Sequence, residues 1–144
     1  MNVINEFKLT VDSKSLNEAF CRYTVAAFVT PLDPTIEEIT DIKTAVSEAV
    51  TNAIVHGYGD TVGQIYISCK ISDDNTVTIS IKDKGKGIAD IKKAMTPLYT
   101  TGGSDRAGLG FTVMQSFCDR VRVNSKEGIG TTVVLTKRIS GRIK

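Results

Sequence analysis

A chain of 144 residues is the length of one domain, here read as residues 1–144, and a domain of this size buries roughly 70% of its unfolded surface. With 41% hydrophobic and 24% charged residues, the composition is that of a soluble globular protein and excludes a disordered or fibrous chain. The net charge of +2, with acids and bases interleaved, gives no electrostatic footprint for direct nucleic-acid binding.

In chain order, Phe7, Leu9 and Val11 alternate with polar residues and predict a first strand. Asp12 or Ser13 is positioned to cap a helix running to about Thr30, with Leu16, Phe20, Tyr23 and Ala27 on its inward face and Arg22 exposed off that stripe. Asp33 then reads as an N-cap and Pro34 as the first residue of a long helix, with Glu37 and Glu38 near the positive end of its dipole. That helix should run to His56 and stop at Gly57 or Gly59. Alternation over 64–71 and 77–82, with turn chemistry at Asp73, Asp74 and Asn75, predicts a hairpin. A glycine-bearing turn over 83–87 leads to a short helix over 89–95, ended by Pro97. Residues 100–107 read as a mobile loop, 108–119 as a helix, and 121–124 with 131–136 as a last pair of strands. Lys137, Arg138, Arg142 and Lys144 read as a solvated basic tail.

Three cysteines, Cys21, Cys69 and Cys118, are odd in number and widely spaced, so neither a disulfide framework nor a zinc site is suggested. Cys69 falls in the apolar phase of Ile65, Ile67 and Ile71, where a small buried hydrophobe explains it. Residues 2–8 lack the apolar core of a secretion signal and no apolar run is long enough to span a bilayer, so no membrane association and a cytoplasmic location are expected.

The chemistry-bearing features are four, and neither a Walker loop nor a dinucleotide fingerprint is among them. Glu48 and Asn52 lie four apart on one helix face, about 6 Å along the axis, a spacing that suits a general base and an oxygen ligand for Mg²⁺. Asp83, at a strand end ahead of Gly85 and Gly87, can accept from an exocyclic amine where glycines let a ring approach the backbone. Gly108, Leu109 and Gly110 open a helix whose free amides favour an anion, with Arg106 just ahead of it. Gly130 and Thr131 enter the last strand, where the threonine hydroxyl could support the Asp83 carboxylate. Taken singly, the four also fit a polar helix face, a plain turn, a glycine hinge and a glycine turn.

Their order and placement resemble the GHKL (Bergerat-fold) ATP-binding superfamily. Glu48 and Asn52 match its N box, Asp83-x-Gly85-x-Gly87 its G1 box, Gly108-x-Gly110 its G2 box and Gly130-Thr131 its closing motif. Within it, the segments 47–57, 97–101, 108–114 and 130–137 look like the anti-sigma-factor serine kinase branch, and the likeness runs from about residue 5 to 138. The resemblance implies an α/β (α+β) two-layer sandwich, a mixed and mostly antiparallel sheet covered by helices on one face. It implies Mg-ATP as cofactor, with Glu48 as base, Asn52 on the metal, Asp83 selecting adenine with Thr131, and Arg106 steadying the transferred group. Thr101, in the lid, joins Gly85, Gly87, Gly108, Leu109 and Gly110 as a nucleotide contact. It implies a homodimer that sequesters a sporulation sigma factor and phosphorylates a serine of the competing anti-anti-sigma factor. A general-stress anti-sigma kinase and a nucleotide-gated sigma-binding module without kinase activity are the alternatives. Arg22 is a candidate contact for an acidic partner. Lys84 and Lys86 make the G1 turn basic, a departure from relatives that carry an acidic or neutral residue there.

Overall fold

The computed structural model describes residues 2–91 and 105–142, with side chains in the second stretch from residue 110 onward. Strands β1 (Val3–Asp12), β2 (Gln64–Ser72), β3 (Thr76–Asp83), β4 (Arg120–Lys126) and β5 (Gly130–Arg138) form one sheet in the order β1-β2-β3-β5-β4. Every described pairing is antiparallel, so the expected mixed sheet is here antiparallel throughout. Helices α1 (Asn17–Val29), α2 (Ile36–Asn52) and α3 (Asp105–Phe117) complete the described fold, and α2 packs against both of the others.

Strand alternation makes one sheet face apolar in successive cross-strand rows. Ile67, Ile81, Val133 and Val123 stand in one row, Cys69, Ile79, Leu135 and Val121 in the next. Together with Ile42, Ala45, Val46, Ala49 and Val50 of α2 they form the core, with Val121 and Val123 half-buried at its margin. Burying each such aliphatic chain is worth about 1.5–3 kcal/mol, which fixes the register, since a one-residue slip would turn every one of them outward. Cys69 lies wholly inside this core, and burial pushes its thiol up to about 12.

Four local expectations need correction. In α1 the inward residues are Cys21, Val25 and Val29, whereas Leu16, Phe20 and Tyr23 are 74%, 52% and 57% exposed. The small residues let α1 and α2 come into contact while the bulky stripe faces away. Second, the N-cap of α2 is Thr35, not Asp33. Thr35 Oγ1 accepts from the Glu38 amide at 3.0 Å and Glu38 accepts from the Thr35 amide at 2.9 Å, a capping box that satisfies two end donors reciprocally. Asp33 instead closes a short 3₁₀ turn (Thr30–Leu32) with φ 54°. Third, α3 begins at Asp105, so Gly108 to Gly110 lie within its first turns rather than at its opening.

Fourth, the basic segment is docked as far as Arg142 rather than solvated, and Lys144 lies outside the described residues. Ile139 is buried, and Glu38 accepts from the amides of Ser140 (2.7 Å) and Gly141 (3.1 Å) while Arg142 pairs with Asp33. Burial acts against the Glu38 charge, but the amide bonds from Thr35, Ser140 and Gly141 outweigh it and hold its carboxyl below the ordinary range. Lys137 donates to the Phe117 carbonyl (3.0 Å) and pairs with Asp41 at 3.6 Å, tying the end of α3 to α2.

Candidate functional site

The core's apolar rows end at the edge nearest the G1 turn, where the next row reads Ile65, Asp83, Thr131, Ser125. Three polar side chains in the apolar phase mark a cavity instead of a packing layer. That cavity, about 200 Å³, is lined by Asn52, Ala53, His56 and Gly57 on one side and by Ile81, Asp83, Ile88, Thr131 and Val133 on the other.

Asp83 is 5% exposed, with Oδ1 accepting from the Gly85 amide at 2.9 Å. Burial pushes its carboxyl above the ordinary value, against the lowering effect of amide bonds from Gly85 and Thr131. A carboxylate kept inside an apolar wall, with accepting capacity left over, is suited to a ligand N–H donor. Three glycines make the wall possible. A Cβ at Gly57 would stand 2.9 Å from the Asp83 carboxyl, one at Gly85 2.1 Å from the Gly57 carbonyl oxygen, and one at Gly130 2.2 Å from the Asp83 carbonyl oxygen.

The turn itself is braced from both sides. Tyr58 Oη donates to the Gln64 carbonyl at 2.5 Å and accepts from the Lys84 amide at 2.8 Å. Lys86 donates through its amide to the Gly57 carbonyl (2.9 Å), and its own carbonyl accepts from Gly128 (2.6 Å). The chain reaches these contacts because α2 does not end at Asn52 but widens into a π-helical segment (Ala53–Tyr58), closed by the Gly59 amide on the Ile54 carbonyl at 3.0 Å.

Glu48 and Asn52 do share a face, and that face meets Gly110 of α3. A Cβ at Gly110 would stand 3.1 Å from Asn52 Nδ2 and 3.2 Å from Glu48 Oε2. Asn52 Nδ2 is buried without a hydrogen-bond partner among the described residues. A buried amide left unsatisfied costs about 1–3 kcal/mol, so a polar ligand at this position fits what the residues lack. Among the described residues there is no cluster of three or more metal-ligating side chains, so a divalent ion here would depend on Asn52 and on oxygens of the ligand itself.

Residues 14–137 match the family described as the Histidine kinase-like ATPase domain. Over 137 residues the chain is 53% identical to the Anti-sigma F factor of Clostridium novyi (strain NT), covering 94% of this chain and 95% of that one. With the Anti-sigma F factor of Thermoanaerobacter sp. (strain X514) it shares 57% identity over 140 residues, covering 96% and 97%. The chain belongs to the anti-sigma F factor family, within the histidine kinase-like ATPase domains. The solved structure of the RsbU and RsbW domains of Rv1364c from Mycobacterium tuberculosis shares its fold, with TM-score 0.68 at 21% identity over 94% of this chain and 32% of that one.

In this family member the geometry brings Glu48 and Gly110 to Asn52, which lines the cavity, and sets Asp83, Gly87 and Thr131 on the same lining, with Gly85 bonded to Asp83. Thr101 lies outside the described residues, as does most of the helix expected over 89–95, and the side chains of Arg106 and Leu109 lie outside them too. Arg22 stands apart from the cavity, half-buried and paired with Glu18 at 2.7 Å rather than open to solvent. Sequence reasoning did not single out Ser125, whose signal was a polar residue in the apolar phase of Val121 and Val123, or Tyr58, which carries no local signal at all. No helix among the described residues is long and apolar enough to cross a membrane.

Proposed function

We propose that this protein sequesters a sporulation sigma factor, sigma F, and uses Mg-ATP to phosphorylate a serine of the anti-anti-sigma factor that competes for it. The observation that carries the reading is the half-buried Glu48 beside an Asn52 whose buried amide lacks a partner among the described residues, both facing Gly110, with Asn52 lining the same cavity as Asp83. A pure binding protein has no use for a carboxylate and an unsatisfied carboxamide at that spacing.

Bound Mg-ATP supplies the phosphoryl group and most of the charge that must be neutralised. The chain's own residues orient, bind and exclude water. Asp83 accepts from the base's exocyclic amine, with Thr131 beside it in the same row. Gly85 and Gly87 let the turn approach the ring, while Gly108, Leu109 and Gly110, in the first turns of α3, border the phosphate end, where the missing side chain of Gly110 leaves room beside Glu48 and Asn52. Asn52 holds the metal, and Arg106, with Thr101 in the lid, completes the phosphate end. Glu48 orients the incoming serine hydroxyl and takes its proton. Positioning and electrostatics of this kind supply most of the acceleration in phosphoryl transfer. On this reading the protein works as a cytoplasmic homodimer, with Arg22 on α1 as a partner contact; the named relatives, anti-sigma F factors, support the choice of a sigma factor as client.

The test is to incubate the protein with Mg-ATP and the anti-anti-sigma factor of the same genome and to measure the partner's intact mass. One added phosphate, absent with Glu48→Ala, is the expected result. An unmodified partner in the presence of bound ATP would reduce the protein to a nucleotide-gated sequestering factor.

A further inference from the structure

The polar row at the cavity's edge has a member that does not line the cavity. Ser125 stands opposite Thr131 in the β4–β5 ladder, half-buried behind it. Its Oγ accepts from the Ile88 amide at 2.7 Å, donates to the Gly130 carbonyl at 3.0 Å and lies 2.8 Å from Thr131 Oγ1. A hydroxyl has one proton and two lone pairs, so these three contacts use its whole capacity. They join three separate pieces of chain. Ile88 is the exit of the G1 turn, Gly130 is the residue whose backbone abuts the Asp83 carbonyl, and Thr131 stands opposite Asp83 in the β3–β5 ladder.

Each piece needs such a restraint. Threonine divides between rotamers that exchange hydroxyl for methyl, and no hydrogen bond other than that to Ser125 is formed by Thr131 Oγ1 among the described residues. Ile88 and Thr131 both line the cavity, so a shift in either changes the wall that meets the base. On the reading of this cavity as the nucleotide site, we infer that Ser125 is a positioning residue for base recognition: it holds Thr131 and Ile88 where the amine edge of the base is read. It touches no reacting atom and acts only through these neighbours.

The inference is tested by measuring affinities of wild type, Ser125→Ala and Ser125→Thr for ATP and for purine riboside triphosphate, which lacks the 6-amino group, with a thermal melt of each protein. Ser125→Ala is expected to weaken ATP about tenfold and to leave the analogue nearly unchanged, so that the preference for the amine collapses. Ser125→Thr, which restores the hydroxyl, should recover most of that preference. Equal weakening of both nucleotides, or of neither, would overturn the inference and leave Ser125 as a merely structural residue. Failure of the wild type to bind ATP would overturn the nucleotide site itself and this inference with it. Should Ser125→Ala not fold, Ser125→Cys keeps the volume with a much weaker hydrogen-bonding group and is judged by the same criteria.

Discussion

The two ends of α2 are built on opposite principles. At its N-terminus the end groups are met from within the protein: Thr35 and Glu38 cap each other's amides, and Glu38 goes on to hold Ser140 and Gly141. At its C-terminus the helix widens, leaves Asn52 Nδ2 buried without a partner among the described residues, and presents Glu48 to a glycine. One end is satisfied by the protein alone and contributes stability. The other is left incomplete, at a cost in stability, in a way that a polar ligand would complete. The same helix therefore separates what holds the fold from what the fold is for.

That contrast can be broken at the functional end first. Glu48→Ala should abolish phosphorylation of the partner, a loss on the order of 10²–10⁴ in rate for a general base, while the melting temperature and ATP affinity stay close to wild type. Parallel loss of folding would mean that Glu48 belongs to the structural end after all. Next in size, Gly85→Ala drives a Cβ into the Gly57 carbonyl, 2.1 Å away, so backbone must move. Overpacking costs about 1–3 kcal/mol, and ATP affinity measured by calorimetry should drop about ten- to a hundredfold.

At the structural end, Glu38→Ala should cost about 1–2 kcal/mol in urea unfolding with no change in ATP affinity. Because the Glu38 carboxyl is held below its ordinary value of 4.5, its contribution is complete above that pH and is lost as pH falls through the lower folded-state value. The gap between wild type and Glu38→Ala should therefore close in acid; a gap constant with pH would assign the effect to contacts that do not depend on the carboxylate charge. Smallest of all, Arg22→Ala removes a half-buried (i, i+4) pair with Glu18 and should change stability by about 0.5 kcal/mol or less. Any larger loss in sigma-factor pull-down would then belong to the interface.

The strands were legible because burial on one face imposes a period of two, and the Asp83 turn because a carboxylate and glycines at a strand end have few other uses. The Glu48–Asn52 pair was legible from spacing, since four residues is nearly one helical turn. The inward face of α1 was not. Leu16-Phe20-Tyr23 and Cys21-Val25-Val29 are both apolar stripes at helical spacing, and which one is buried depends on how closely α2 approaches. Asp33-Pro34 read as the helix start, but Thr35 is the cap, because Glu38 closes the box with it and also takes the amides of Ser140 and Gly141, about a hundred residues distant. Ser125 illustrates a different limit. Its phase in β4 could be read from the sequence, but its importance comes from Ile88 and Thr131 on either side, which only the folded sheet brings to it.

The widened turn after Asn52 has a further meaning when the helix is considered as a screw. A π turn absorbs one residue more than an α turn for the same rotation, so everything beyond it is set back in phase. Gly57 meets Asp83 and Tyr58 meets the Lys84 amide only at that delayed phase. Were the thread regular, each following side chain would be advanced by about 100°, and the tyrosine would turn away from the loop that it braces. The pitch of one turn thus carries as much information about the cavity as any side chain in it, and no substitution table would reveal it.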